Sequence, residues 1–81
     1  MSRLYFDFDD GRSRFKDDEG MDFPNAEAGR TEALKTLAEI AKDAIPRSDH
    51  QAISAVMRDD SGATVYSAEV TVSGEWHKPP S

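Results

Sequence analysis

Between Pro24 and Pro46 the apolar residues of this chain recur at spacings of three and four, and on either side of that stretch they alternate at a spacing of two. One change of period, bounded by two prolines, confines the chain to a single helix set between extended segments. Leu34, Leu37, Ala38, Ala41 and Ile45 form the apolar line of the helix, widened by Ala33, Ile40 and Ala44. Asn25 suits its N-cap, Glu27 the positive end of its dipole, and Pro46 stops propagation after Ile45. Glu27, Thr31, Lys35, Glu39, Lys42 and Asp43 read as the solvated side. Gly29 costs about 1 kcal/mol against alanine in a helix interior; the reading is that the position is simply tolerated, not that the helix approaches the sheet there.

Before the helix, Leu4, Phe6 and Phe8 alternate with Tyr5 and Asp7 in a strand from Arg3 to Asp9. Asp10-Gly11 suits a type I′ hairpin turn, and the return strand Arg12 to Lys16 would carry Phe15 inward. Asp17-Asp18-Glu19-Gly20 is a second turn, and Met21-Asp22-Phe23 is a short extended piece kept out of the helix by Pro24. After a polar loop, Arg47 to His50, a strand from Ala52 to Arg58 alternates Ile53, Ala55 and Met57 with Ser54, Val56 and Arg58. Asp59-Asp60-Ser61-Gly62 turns the chain into the longest strand, Thr64 to Val72, which is rich in β-branched residues.

The expected fold is α+β: β-β-α-β-β, a four-stranded, mainly antiparallel sheet of two hairpins with one amphipathic helix on one face. Setting the first strand beside the third keeps the sheet antiparallel in the order 2-1-3-4. Residues 1–73 make one domain, and 74–81, with Trp76, Pro79 and Pro80, a flexible tail.

At 81 residues the chain buries only roughly 60% of its unfolded surface. It has no cysteine, so disulfides and thiolate chemistry are excluded and a reducing cytoplasm fits. An acidic residue follows Met1-Ser2-Arg3-Leu4-Tyr5-Phe6 too soon for a signal peptide, and no apolar run approaches the roughly 20 residues of a membrane span. The formal net charge of −6 opposes binding to nucleic acid and to anionic membranes, both of which recruit Lys and Arg.

Six carboxylates between Asp7 and Glu19 invite a calcium reading. An EF-hand loop needs oxygen ligands at positions one, three and five, glycine at six and glutamate at twelve. With Gly11 at position six, Phe6 and Phe8 fall at one and three, so the match fails and the acids read as turn formers that also block edge pairing. Ser48, Asp49 and His50 are adjacent in one loop, an arrangement that seldom converges as a triad. Neither His50 nor His77 has a helix-spaced partner, and no glycine-rich phosphate cradle follows a strand. No catalytic residue, cofactor or metal ligand is assigned, and the chain is read as not an enzyme.

Tyr5-Phe6-Asp7, Asp10-Gly11, Asp18-Glu19-Gly20, Phe23-Pro24-Asn25, the alanine-rich helix and Met57-Arg58-Asp59-Asp60-Ser61-Gly62 together resemble a family of short proteins of unknown function common in rhizobia and related alphaproteobacteria. The resemblance runs to about Val72 and lies in the order and spacing of the turn motifs. It implies a shared compact domain in a bacterial cytoplasm and lends no site residue.

Two functional classes lead, a protein-interaction or regulatory accessory module and a homodimeric structural unit, with an enzyme or a weak cation-binding protein as the minor alternative. Both leading classes use what one helix leaves uncovered, an edge strand or the open sheet face, with Tyr5, Arg14, Val56 and Tyr66 as candidate contact residues.

Overall fold

The computed structural model describes residues 1–80. Strand β1 (Ser2–Asp9) pairs antiparallel with β4 (His50–Arg58), and β4 with β5 (Thr64–Ser73). On the other flank of β1 lie β2 (Arg14–Lys16), opposite Asp7–Asp9, and β3 (Met21–Phe23), opposite Ser2–Leu4. The main path is β2-β1-β4-β5, the expected order. The expected count of four strands is corrected to five: with Phe23 held extended before Pro24, Met21–Phe23 has the backbone to pair with β1.

β2 and β3 amount to one edge strand broken at Asp17–Gly20. In the gap Asp17 supplies what the ladder lacks, its Oδ2 accepting the Phe6 N–H at 3.2 Å. Its Oδ1 accepts the N–H groups of Glu19 and Gly20, both at 3.1 Å. Gly20 adopts a φ of +73° against the Tyr5 ring.

The first hairpin departs from expectation. A type I′ turn needs positive φ at both central residues, but Gly11 alone is left-handed there. Asp9 Oδ1 instead accepts the Gly11 N–H at 2.8 Å, and Asp10 Oδ1 accepts those of Arg12 and Ser13 at 2.9 Å. This wider loop delays the return strand from Arg12 to Arg14. Phe15 pairs with Phe8 on the helix side, yet it is 60% exposed. Helix α1 (Ala26–Ala44) lies over β1 and β4 and leaves β2 uncovered.

Asn25 caps α1, its side chain accepting the Ala28 N–H at 2.9 Å. The buried line is Gly29, Ala33, Leu37, Ala41 and Ala44, packed on Leu4, Phe6, Ile53, Ala55 and Met57. Small helix residues let the axis sit low on the sheet, and each large apolar side chain buried there stabilises by about 1.5–3 kcal/mol. Gly29 marks the closest approach, which overturns the reading of tolerance. A Cβ there would overlap Leu4 Cδ1 and lie 3.0 Å from Met57 Sδ.

Beyond Ala44 a 3₁₀ turn (Ile45–Arg47) carries Pro46. Gln51 Nε2 closes the helix end, donating to the carbonyls of Ala44 (2.7 Å), Ile45 (3.1 Å) and Ser48 (3.0 Å). His50, expected in a loop, opens β4. Residues 74–80 form neither helix nor strand. Gly74 donates to the Asp49 carbonyl at 2.8 Å, and Trp76 is 70% exposed. The tail's last residue, Ser81, lies outside the described residues.

Candidate functional site

Alternation places Tyr5, Asp7 and Asp9 of β1 on the sheet face away from α1, beside Ser54, Val56 and Arg58 of β4 and Ser67, Glu69 and Thr71 of β5. Arg58 organises one end of this face. Its Nε donates to Asp7 Oδ2 at 2.7 Å, and one terminal nitrogen donates to Asp7 Oδ1 at 3.0 Å and to the Asp17 carbonyl at 2.8 Å. The guanidinium lies 5.3 Å from the centre of the Tyr5 ring, whose hydroxyl donates to Asp60 at 3.1 Å. Arg58 holds the Asp7 carboxyl below its ordinary value. At Asp17 partial burial opposes ionisation, but the N–H groups of Gly20, Phe6 and Glu19 outweigh it, and its pKa is also lowered.

Of the four expected contact residues, Tyr5, Arg14 and Val56 lie on this open face. Tyr5 is half-buried beneath Arg58, Arg14 pairs with Asp9 at 3.2 Å, and Val56 sits between Asp7 and Ser67. Tyr66 does not join them. It pairs with Met57 on the helix side, beneath the Arg30 guanidinium at 5.6 Å. The face is polar, with Asp7 paired to Arg58 and Asp9 to Arg14, and it lacks the contiguous apolar surface that marks a docking site.

The other constellations close on themselves in the same way. Asp10, its carboxyl lowered to about 2 by the N–H groups of Ser13 and Arg12 and then by Arg47, is a loop organiser. Asp59 is lowered by the Ser61 hydroxyl and caps its own turn through the N–H groups of Ser61 and Ala63. Ser48 Oγ accepts the His50 N–H at 3.2 Å, a local turn contact in which the His50 ring takes no part. Among the described residues no group of three or more His, Asp or Glu side chains is arranged to hold a metal ion. A depression of about 480 Å³ is lined by Asp7, Phe8, Asp9, Arg14, Phe15 and Lys16. Asp7 and Asp9 are already engaged by Arg58 and Arg14.

The unsatisfied feature is backbone. β5 is a 10-residue strand bonded to β4 along one side, with no strand on its other side among the described residues. Protein edges are usually blunted by lysine, proline, short length or bulges. The β2–β3 edge follows that rule, being broken at Asp17–Gly20 and carrying Arg14, Lys16 and Asp22. β5 has no proline, lysine or arginine and a single charge, Glu69; its one irregularity leaves Val65 unpaired near its start.

α1 lies mainly over β4 and reaches the β5 side only with one flank. Arg30 covers Tyr66 at one end, and Gln51, paired with Val72, touches Ala44 and Ile45 at the other. Leu34, Ala38 and Ile45 follow Arg30 along the same flank at helical spacing. Leu34 is half-buried and Ala38 exposed, while Ile45 is 43% exposed.

A family model described as a domain of unknown function (DUF6894) matches residues 3–71. The chain belongs to that family. The DUF6894 match takes in Asp7, Asp17, Arg58 and β5 as far as Thr71, and leaves out the tail with Trp76. No curated protein matches the chain, and no solved structure does. As a DUF6894 domain it has a known extent and no assigned role. Among its described residues no helix is long and apolar enough to cross a membrane.

The sequence marked β5 as the longest strand and an edge as a binding candidate, but gave no sign of the Arg58–Asp7–Asp17 network. Its members lie up to 51 residues apart and meet only through the β1–β4 register. Gln51 was missed for a similar reason, since a glutamine in a strand carries no signal that it closes a helix.

Proposed function

We propose that this chain is a small non-catalytic interaction module that binds a protein by adding a strand to the free edge of β5. The observation that carries this reading is the asymmetry of the sheet, whose one edge is broken and charged and whose other is long, regular from Tyr66 onward and unblocked there. Strand addition draws affinity from main-chain hydrogen bonds and specificity from alternate side chains, and it needs no apolar pocket. The net charge of −6 favours a protein partner over nucleic acid. The absence of cysteine, together with the resemblance to alphaproteobacterial proteins, supports a bacterial cytoplasmic setting.

Affinity capture from native-cell lysate with two baits, the unaltered chain and the Ser67→Glu/Thr71→Glu variant, tests this. Both substituted side chains are exposed on the open face of β5, so the change charges the edge and spares the core. A protein held by the first bait and lost from the second supports strand addition. Equal retention by both transfers the binding surface to the open face around Tyr5 and Val56.

A further inference from the structure

We infer that the strand added to β5 is the β5 of a second copy, antiparallel to it about a twofold axis through Val70. This rests on the strand-addition reading and names its partner.

The edge is self-complementary. Residues facing each other across an antiparallel pair share a sheet face, so Ala68, Val70 and Val72 meet one another on the helix side. An axis through Glu69 would oppose that carboxylate to its own copy, which is unfavourable. An axis through Val70 sets Glu69 against Thr71, Ala68 against Val72 and Ser67 against Ser73. It also confines the pairing to the regular part of the strand, clear of the Val65 irregularity.

The helix flank favours a second copy over a lone peptide. An added peptide strand covers the edge and leaves Ala38 and Ile45 exposed above it. A twofold partner sets its own α1 on the same side of the joined sheet, with the flank that carries Leu34, Ala38 and Ile45 turned toward the same flank of the first copy. The pairing is also closed. After β5 meets β5, the outer edges are the broken β2–β3 strands, which have no long free ladder from which to continue.

Light scattering and sedimentation equilibrium across a dilution series test this on the intact chain. The expected mass is twice that of the 9.0 kDa chain, falling to the single-chain mass on dilution. Thr71→Glu faces Glu69 of the second copy at both symmetric positions and is expected to weaken the dimer at least about tenfold, whereas Thr71→Lys faces the same carboxylate and is expected to retain it. Ala38→Glu/Ile45→Glu, on the helix flank, is also expected to weaken it at least about tenfold. All these positions are exposed, and far-UV circular dichroism identifies any variant that unfolds. A chain that stays at 9.0 kDa at every concentration overturns the inference, while the lysate capture still decides strand addition to another protein. A dimer that survives Thr71→Glu, is lost equally with Thr71→Lys, or ignores the helix-flank variant also overturns it.

Discussion

Arg58 grips both oxygens of Asp7 across the β1–β4 junction, at 2.7 and 3.0 Å, with the two side chains 19% and 26% exposed. The pair is too sheltered to count as a surface ion pair and too wet to be a buried one. Arg58 also holds the Asp17 carbonyl, so it ties the broken edge to the centre of the sheet. Arg58→Ala is expected to destabilise by about 1–3 kcal/mol, and Asp7→Asn by less, since the amide retains one acceptor. Urea unfolding of both single variants and the double variant measures this, and a coupling near zero would refute it.

Acid should unfold the protein in a defined window. Asp7, Asp10, Asp17 and Asp59 all have carboxyls lowered from 3.8 in the folded chain. Below that value the unfolded chain binds more protons, so the stability these groups contribute is complete above about pH 4 and drains away as pH falls toward the folded values. Asp10 titrates at about 2. Urea midpoints are expected to be level from pH 7 to about 5 and to fall steeply below 4. Asp10→Asn should flatten the lowest part of that fall.

Gly29→Ala sets helix propensity against packing. Alanine gains about 1 kcal/mol in a helix interior, but here its methyl meets Leu4 and Met57. Overpacking costs about 1–3 kcal/mol, so the net change should be destabilising or nearly neutral. Gly29→Ala/Leu4→Val, which makes room, should recover stability relative to Gly29→Ala alone. A lone Gly29→Ala that gained a full 1 kcal/mol in thermal unfolding would show that the close approach carries no cost.

Gln51→Leu keeps the side-chain volume and removes the amide that serves the Ala44, Ile45 and Ser48 carbonyls together. The expected loss is about 1–2 kcal/mol. Hydrogen exchange should localise it, with faster exchange in the last turn of α1 and unchanged protection at Leu37.

Trp76 follows the last strand and is 70% exposed. Its emission should resemble that of free indole in water and barely move on unfolding, and removing residues 75–81 should leave stability within about 0.5 kcal/mol. A blue-shifted emission from the native chain would contradict this.

The elements that sequence alone made legible are those governed by local chemistry. The Asn25 cap, the Pro46 stop, the alternation of Ile53, Ala55 and Met57, and the turn at Asp59–Gly62 each follow from neighbours within a few residues. What escaped depends on contacts made at a distance. Phe15 alternates correctly and is still exposed, because its burial depends on where the helix ends laterally. Gly29 looked like a defect until Leu4 was placed beneath it. Asp17 looked like one more turn acid until Phe6 was found donating to it. The β5 edge was legible as a strand but not as the unguarded one, since that is a comparison between two sides of a finished sheet.

The central position of β1 has a consequence for how the protein is made. Its residues leave the ribosome well before their inner partners, Ser54 to Arg58. The nascent chain can assemble α1 and the loops around Asp10 and Asp17 early, but the sheet has no middle until translation has passed Arg58, and the β4–β5 hairpin closes last. During that interval Leu4, Phe6 and Phe8 are an apolar strand awaiting its neighbour, and the carboxylates around them are what keeps such a segment dispersed in water while it waits.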